Sequence, residues 1–561
     1  MRVYQETEIE IPNDLNLTEL LHTTATPDVR GDTVIASDNL TDRTLTLDQL
    51  RDRAGRIAHG LKRKLNPAEG DRWAIIVPNS VDYVEIFHAL LWTGGVSCPI
   101  NWALKASEIG RALSVSQPRF VFAYGKIISK VNEALAIAEK ELQKKGIAFQ
   151  RPQVLTVVER VAGYPHVPDD FFEATKLAIP HYKHTEDHVA SIHLSSGTTG
   201  LPKGIQLTHY NYVSNVLQLY HHDPSQFNSQ TRTVGFTPYV HIALTTLPLF
   251  LGPWTGMLHH AMPQYDLETF GKMVSRVKPT TFQGVPSVVL SFANTDITNR
   301  YDFSNARIIN TGGAPFKEDM LDRLMSKAPW KTVQLYGMTE ASPYVAYQKY
   351  DETVPKGATG KLLPNLQAVL KKPGTTEDAP EGGPGELWLK GPNIAKSYVF
   401  NPNATKEAFP MPGWFNTGDV CTIDANGYVA VVGRTKELIK YKGFQVSPIE
   451  LEAHANSHPH VIECGIGSIW DESQLTELPT AYVVLKPHFK TIDEKRQALK
   501  DIHQAVDSQV SGYKKLRGGV WNISALPKNP TGKILRKELQ GRTLGQCSLP
   551  ERETARPAAK L

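Results

Sequence analysis

Residues 195 to 204 read Ser-Ser-Gly-Thr-Thr-Gly-Leu-Pro-Lys-Gly, a composition suited to holding phosphate. Gly197, Gly200 and Gly204 let backbone amides approach an anion closely and tolerate positive φ. The hydroxyls of Ser195, Ser196, Thr198 and Thr199 can donate to phosphate oxygens, and Lys203 adds a compact positive charge. The spacing of a Walker A loop is absent. A flexible polar turn is the bland alternative. It does not explain why four hydroxyls, three glycines and one lysine crowd into ten positions. Alone, the segment predicts phosphate binding and no particular reaction.

Further segments carry chemistry of their own. Tyr336-Gly337-Met338-Thr339-Glu340 places a hydroxyl beside a carboxylate, which suits magnesium and its preference for a few hard oxygen ligands. Asp419, in Asn416-Thr417-Gly418-Asp419, offers a carboxylate that can accept from both hydroxyls of a vicinal diol. Gly312 and Gly313, followed by Ala314, supply a wall without side chains for a planar group. Each segment also has an ordinary explanation: a capped helix start at Thr339, an aspartate in a turn, a strand-to-helix turn at Gly312.

In their order along the chain these segments resemble the signatures of the adenylate-forming superfamily. Its members include acyl-CoA synthetases, hydroxycinnamate–CoA ligases, firefly-type luciferases and nonribosomal peptide adenylation domains. The resemblance runs from about residue 40 to about residue 540 and takes in Gly433-Arg434-Thr435-Lys436 and Pro527 through Arg536. It implies an ATP-dependent, AMP-forming carboxylic acid–CoA ligase using ATP, Mg²⁺ and coenzyme A. It also implies roles. Glu340 holds the metal, Thr339 touches phosphate, Tyr336 stacks near adenine beside Gly337, Asp419 takes the ribose, and Arg434 makes a second ribose or phosphate contact. Gly312, Gly313 and Ala314 lie along adenine. Lys533 is the catalytic lysine of adenylation, while Lys440 and Gly443 face the site during thioester formation after a swing about Lys436. An ammonium at Lys533 would offset the repulsion between an attacking carboxylate and the α-phosphate.

The acyl pocket implied by the resemblance comprises Tyr239, Gly284, Gly312, Gly337, Ser342, Pro343 and Tyr344, with His241 beside it. Val240 stands where the family often has an aromatic residue, Ala243-Leu244 where Gly-Leu is common, and Ser342 where many relatives have glycine. A core histidine bonded to backbone is the competing reading of His241. The two tyrosines point to an aromatic or medium-chain apolar acid. Loading of a carrier protein in trans and a luciferase-like oxygenase remain alternatives, because they share the motifs.

The elements that must position these residues are legible. Thr46 and Gln49 have capping-box spacing before an apolar stripe at Leu47, Leu50, Ala54, Ile57 and Leu61, which predicts a helix to about Lys64. A strand at Trp73–Val77, a helix at about Val81–Thr93 and a strand at Val96–Ile100 follow, a pattern of α/β architecture with parallel pairing. After Pro355, dense Gly and Pro with short alternating runs predict antiparallel sheet. The expected fold is α/β: a large N-terminal domain of layered sheets with a β-barrel-like subdomain over 1–433, a hinge at 434–436, and a small mobile α+β domain over 437–561.

Composition narrows the classes. A net charge of +4, from 61 basic and 57 acidic residues, gives no nucleic-acid footprint. Four scattered cysteines without a CxxC pair predict neither a zinc site nor a disulfide framework. The first residues, MRVYQETEIEIPNDL, lack the apolar run of a signal peptide, and the apolar stretch Ile242–Trp254 is too short and broken to span a bilayer. Ala559-Lys560-Leu561 resembles a peroxisomal address, with the import receptor as an expected partner.

Overall fold

A computed structural model of the 561-residue chain describes residues 2–195, 203–284, 295–312, 330–435, 437–441, 444–472, 474, 476–510, 512–528, 534–542 and 545–549. The helix Leu47–Leu65 begins as the capping box requires. The Thr46 side chain accepts from the Gln49 N–H, and the Gln49 side chain accepts from the Thr46 N–H. Its apolar stripe is buried, and Asn66 ends it in the left-handed conformation. The helix Val81–Trp92 is buried on every side, and its buried Asp82 and Glu85 are paired with Arg43, Glu85 with Arg53 as well.

Among the described residues, an 8-stranded sheet has Arg72–Ile76 at its centre, paired in parallel with Val96–Pro99 and Phe120–Tyr124. The strand Val189–Ser195 joins it beside Val96–Pro99, and Lys203–Thr208 returns antiparallel with Lys203 opposite Ser195. The segment expected to bind phosphate lies in sequence between these two strands. Thr208 then caps the helix His209–His222. A 9-stranded sheet carries Arg232–Gly235, Leu258–Ala261, Thr281–Gly284 and Ile308–Thr311 in parallel, with Lys331–Gly337 and Tyr344–Tyr347 beyond them. The glycine- and proline-rich region forms a 5-stranded antiparallel sheet ending in Phe415–Ile423 and Val429–Arg434.

One large hydrophobic core extends from Leu17 to Val429, and a separate one runs from Ile439 to Val520. The second belongs to an α+β unit in which the helices Pro448–Asn456 and Ile492–Gln509 accompany the strands Val461–Asp471, Thr476–Leu485 and Val520–Asn522. The apolar stretch at Ile242–Trp254 folds into short helical turns, most of it buried in the large core. No helix among the described residues is long and apolar enough to cross a membrane.

Burial also makes the fold acid-sensitive. It pushes the imidazoles of His88 and His260 down to about 4 and those of His193, His209 and His259 down to about 3, against 6.5 for an ordinary histidine. Between those values the unfolded chain binds more protons than the folded one, so stability falls as pH drops from about 6.5 toward 4. The urea midpoint is expected to decline across that window. His88→Gln, which retains a donor for the Leu249 carbonyl at 2.9 Å, should make the decline shallower by close to one proton.

Candidate active site

Asp419 is the centre of the best-defined cluster. Phe415–Ile423 and Val429–Arg434 pair with Asp419 directly opposite Arg434, so register alone places carboxylate and guanidinium together. Arg434 Nε lies 2.7 Å from Asp419 Oδ1, and the Tyr336 hydroxyl donates to Oδ2 at 2.7 Å. The turn before Asp419 is fixed by the Asn416 side chain accepting from the Gly418 N–H and the Thr417 hydroxyl accepting from the Asp419 N–H. The Asp419 carboxylate raises the Arg434 pKa, and burial with Asp419 nearby pushes the Tyr336 hydroxyl well above its ordinary value. Both partners thus remain donors. A carboxylate has about four lone-pair sites, so one per oxygen stays available for a vicinal diol.

Glu340 forms a second cluster. It sits in the single turn Thr339–Ala341 after the strand Lys331–Gly337, and no side chain caps that turn. The expected alternative of a capped helix start at Thr339 is therefore not what forms. The Tyr398 hydroxyl donates to Glu340 Oε1 at 2.8 Å, and Lys203 Nζ lies 5.2 Å from the centre of the Tyr398 ring. Burial raises the Glu340 pKa, a rise opposed by the Tyr398 hydrogen bond. By surface area the residue is only half-buried. Among the described residues no group of three or more His, Cys, Asp or Glu could hold a metal by itself. One carboxylate beside a threonine hydroxyl fits magnesium that brings phosphate oxygens as its other ligands.

The expected acyl pocket adjoins this region. A side chain at Gly337 would place its Cβ 2.3 Å from the Pro343 carbonyl oxygen, and one at Gly312 would meet Leu335, so both positions need glycine. Ser342 has φ +68 and is fully buried, and its carbonyl accepts from the Thr246 hydroxyl at 2.9 Å. Where the sequence departs from glycine, the backbone keeps a conformation that favours glycine. Asn215 clamps Tyr344, accepting its N–H at 3.1 Å and donating to its carbonyl at 3.0 Å. The Tyr344 hydroxyl reaches the Ala243 carbonyl at 3.3 Å. Tyr239 is 1% exposed, edge-on to Tyr83 at 5.3 Å. Gly284 ends the strand Thr281–Gly284.

His241 stands at the start of the turn Ile242–Thr246 and is exposed by surface area, yet desolvation lowers its pKa. A core histidine bonded to backbone, the competing reading, would not be exposed.

On the small unit, Lys440 is exposed on the strand Ile439–Tyr441, and its N–H donates to Glu477 Oε2 at 2.6 Å. Arg536 bridges Glu437 and Glu452, each at 2.6 Å. Ser196, Gly197, Thr198, Thr199, Gly200, Gly313, Ala314, Lys436, Gly443, Lys533 and the Ala559–Leu561 end lie outside the described residues. So does the side chain of Ser195. Sequence reasoning missed Tyr398 and Asn215, since an isolated Tyr or Asn carries no local signal.

Comparison with known proteins gives the family. The AMP-binding enzyme model matches residues 24–399, and the model of the AMP-binding enzyme C-terminal domain matches 450–533. The 4-coumarate–CoA ligase 1 of Petroselinum crispum is 32% identical over 519 residues, covering 91% of each chain. A probable 4-coumarate–CoA ligase 3 of Dictyostelium discoideum is 32% identical, covering 91% of this chain and 92% of its own. ATP-bound MatB from Rhodopseudomonas palustris aligns with a TM-score of 0.81 at 26% identity, over 94% of this chain and 98% of that one. The o-succinylbenzoate coenzyme A synthetase of Bacillus subtilis, in complex with ATP and magnesium, shares the fold with a TM-score of 0.76 at 24% identity, over 94% and 99%. With both domain models matched, the first over residues 24–399, this chain belongs to the AMP-binding enzyme family.

Proposed function

We propose that the enzyme is an ATP-dependent, AMP-forming carboxylic acid–CoA ligase. The observation that carries this reading is the Asp419 cluster. A buried carboxylate, anchored by Tyr336 and Arg434, keeps an acceptor site on each oxygen for the ribose diol. The names of the relatives in Petroselinum and Dictyostelium support CoA as acceptor.

The reaction has two steps. A carboxylate oxygen of the acid attacks the α-phosphorus, the bond to the β-phosphate oxygen breaks, and pyrophosphate leaves with that electron pair. The CoA thiol then attacks the acyl carbon of the adenylate, loses its proton, and AMP leaves. Mg²⁺ would supply charge neutralisation on the triphosphate, with Glu340 holding it and Thr339 touching phosphate. Lys203 and Lys533 offset phosphate charge, and His241, neutral at pH 7, lines the acyl entrance. For the second step the small domain turns about Lys436 to bring Lys440 and Gly443 to the site. The arrangement on either side of Lys436 suits such a hinge. The Thr435 hydroxyl is anchored to Glu386 at 2.8 Å on the large domain, and Glu437 is anchored to Arg536 on the small one.

The acid is an aromatic or medium-chain apolar one, a reading supported by the buried Tyr344 ring, whose hydroxyl lies 3.3 Å from the Ala243 carbonyl. A panel of acids, assayed for AMP release with and without free CoA, tests the reading. AMP release that needs a carrier protein or oxygen in place of CoA would overturn it. Tyr344→Ala is expected to shift preference toward longer acids by about tenfold or more in relative kcat/KM, the scale of one or two buried methylenes. An unchanged chain-length profile would remove Tyr344 from the pocket wall.

A further inference from the structure

We propose that Tyr398 is a positioning residue that keeps Lys203 and Glu340 apart and directs both toward one metal–triphosphate. The inference rests on the ligase reading. Its basis is the edge strand Ser397–Tyr398, which pairs antiparallel with Lys203–Thr208 so that Tyr398 lies opposite Ile205. The Val399 N–H donates to the Gly204 carbonyl at 2.8 Å, and the Ala395 N–H donates to the Glu340 carbonyl at 2.7 Å. The Tyr398 N–H is held by the Thr405 hydroxyl at 3.0 Å. One short segment is thereby tied to the strand that follows the phosphate segment and to the turn that carries Glu340.

The side chain repeats this bridging. The hydroxyl donates to Glu340 Oε1 at 2.8 Å, and the Lys203 ammonium lies 5.2 Å from the ring centre, within the range of a cation–π contact. Among the described residues no ion pair joins Lys203 to Glu340. An ammonium and a carboxylate this close to a common neighbour would otherwise pair and cancel the charges that phosphate and metal require. The ring gives Lys203 a weaker partner that it can leave for a phosphate oxygen. The hydroxyl fixes the Glu340 rotamer by one oxygen, leaving the other without a side-chain partner among the described residues.

Two substitutions separate the two roles. Tyr398→Phe keeps the ring and loses the hydroxyl. Calorimetric titration should show MgATP binding weakened about tenfold, with metal-free ATP bound within about twofold of wild type. Tyr398→Leu loses both, so metal-free ATP should also bind about tenfold more weakly as Lys203 pairs with Glu340. Adding Glu340→Gln to Tyr398→Leu removes that competitor and should restore affinity for metal-free ATP, a rescue that a merely structural role would not produce. Equal weakening of MgATP and metal-free ATP in Tyr398→Phe, or no rescue in the double variant, overturns the assignment. A wild-type chain that binds no MgATP overturns the ligase reading itself. Wild-type binding with unaffected variants overturns the role of Tyr398 alone.

Discussion

Asp419→Asn is expected to lower kcat/KM for ATP about 30- to 100-fold, ~2–3 kcal/mol, in acid-dependent pyrophosphate exchange. The substitution preserves size but removes the charge that Arg434 faces across the strand pair at 2.7 Å. It also puts an amide donor where two donors, the Tyr336 hydroxyl and Arg434 Nε, already point. One of the three must turn away, and the geometry offered to the ribose diol is lost with it. The effect belongs at the lower end of the range for a broken buried pair, because the Arg434 side chain is 36% exposed while that of Asp419 is 3% exposed. Pyrophosphate exchange measured against ATP concentration checks it. A change below threefold would mean that Asp419 serves only the folding of the strand pair.

Lys533→Ala is expected to slow adenylation by about 10²–10³-fold, the scale seen when one group that stabilises developing charge is removed. Conversion of supplied acyl-adenylate to thioester should stay within a few-fold of wild type, because that step no longer brings two anions together. Lys533 itself lies outside the described residues, but the chain on either side is firmly held. Lys528 and Ile534 form a bridge, and the Leu535 N–H donates to the Pro527 carbonyl at 2.9 Å. Arg536 then ties this segment to Glu437, next to the proposed hinge, and to Glu452. A lysine next in sequence to residues anchored in this way would travel with the small domain and leave the site in the proposed swing. Equal losses in both half-reactions would contradict that account.

The sequence was a good guide wherever the determinant is local. Thr46 and Gln49 specify a capping box within four residues, and the box forms. Alternation and apolar runs locate strands such as Arg72–Ile76 and Val429–Arg434, because a side chain's face is set by a period of two or 3.6. The strands Val189–Ser195 and Lys203–Thr208 flank the segment whose composition predicts phosphate binding, and that prediction rests on glycine and hydroxyl chemistry that does not depend on distant partners.

Tertiary structure decided which of the marked residues meet and through what. Tyr336 and Asp419 are 83 positions apart, and only the approach of two sheets puts the phenol on the carboxylate. Arg434 meets Asp419 because the register of one strand pair sets them opposite each other, and a shift of one residue would send them to different faces. Tyr398 carries no local pattern at all and gains its place from an edge strand pairing beside Lys203. Ser342 looked like a simple departure from glycine, and only the backbone shows that it adopts φ +68 nonetheless. Helix caps and strand faces are settled by neighbours along the chain, whereas hydrogen bonds between distant side chains are settled by sheet register and packing, which no short window of sequence contains.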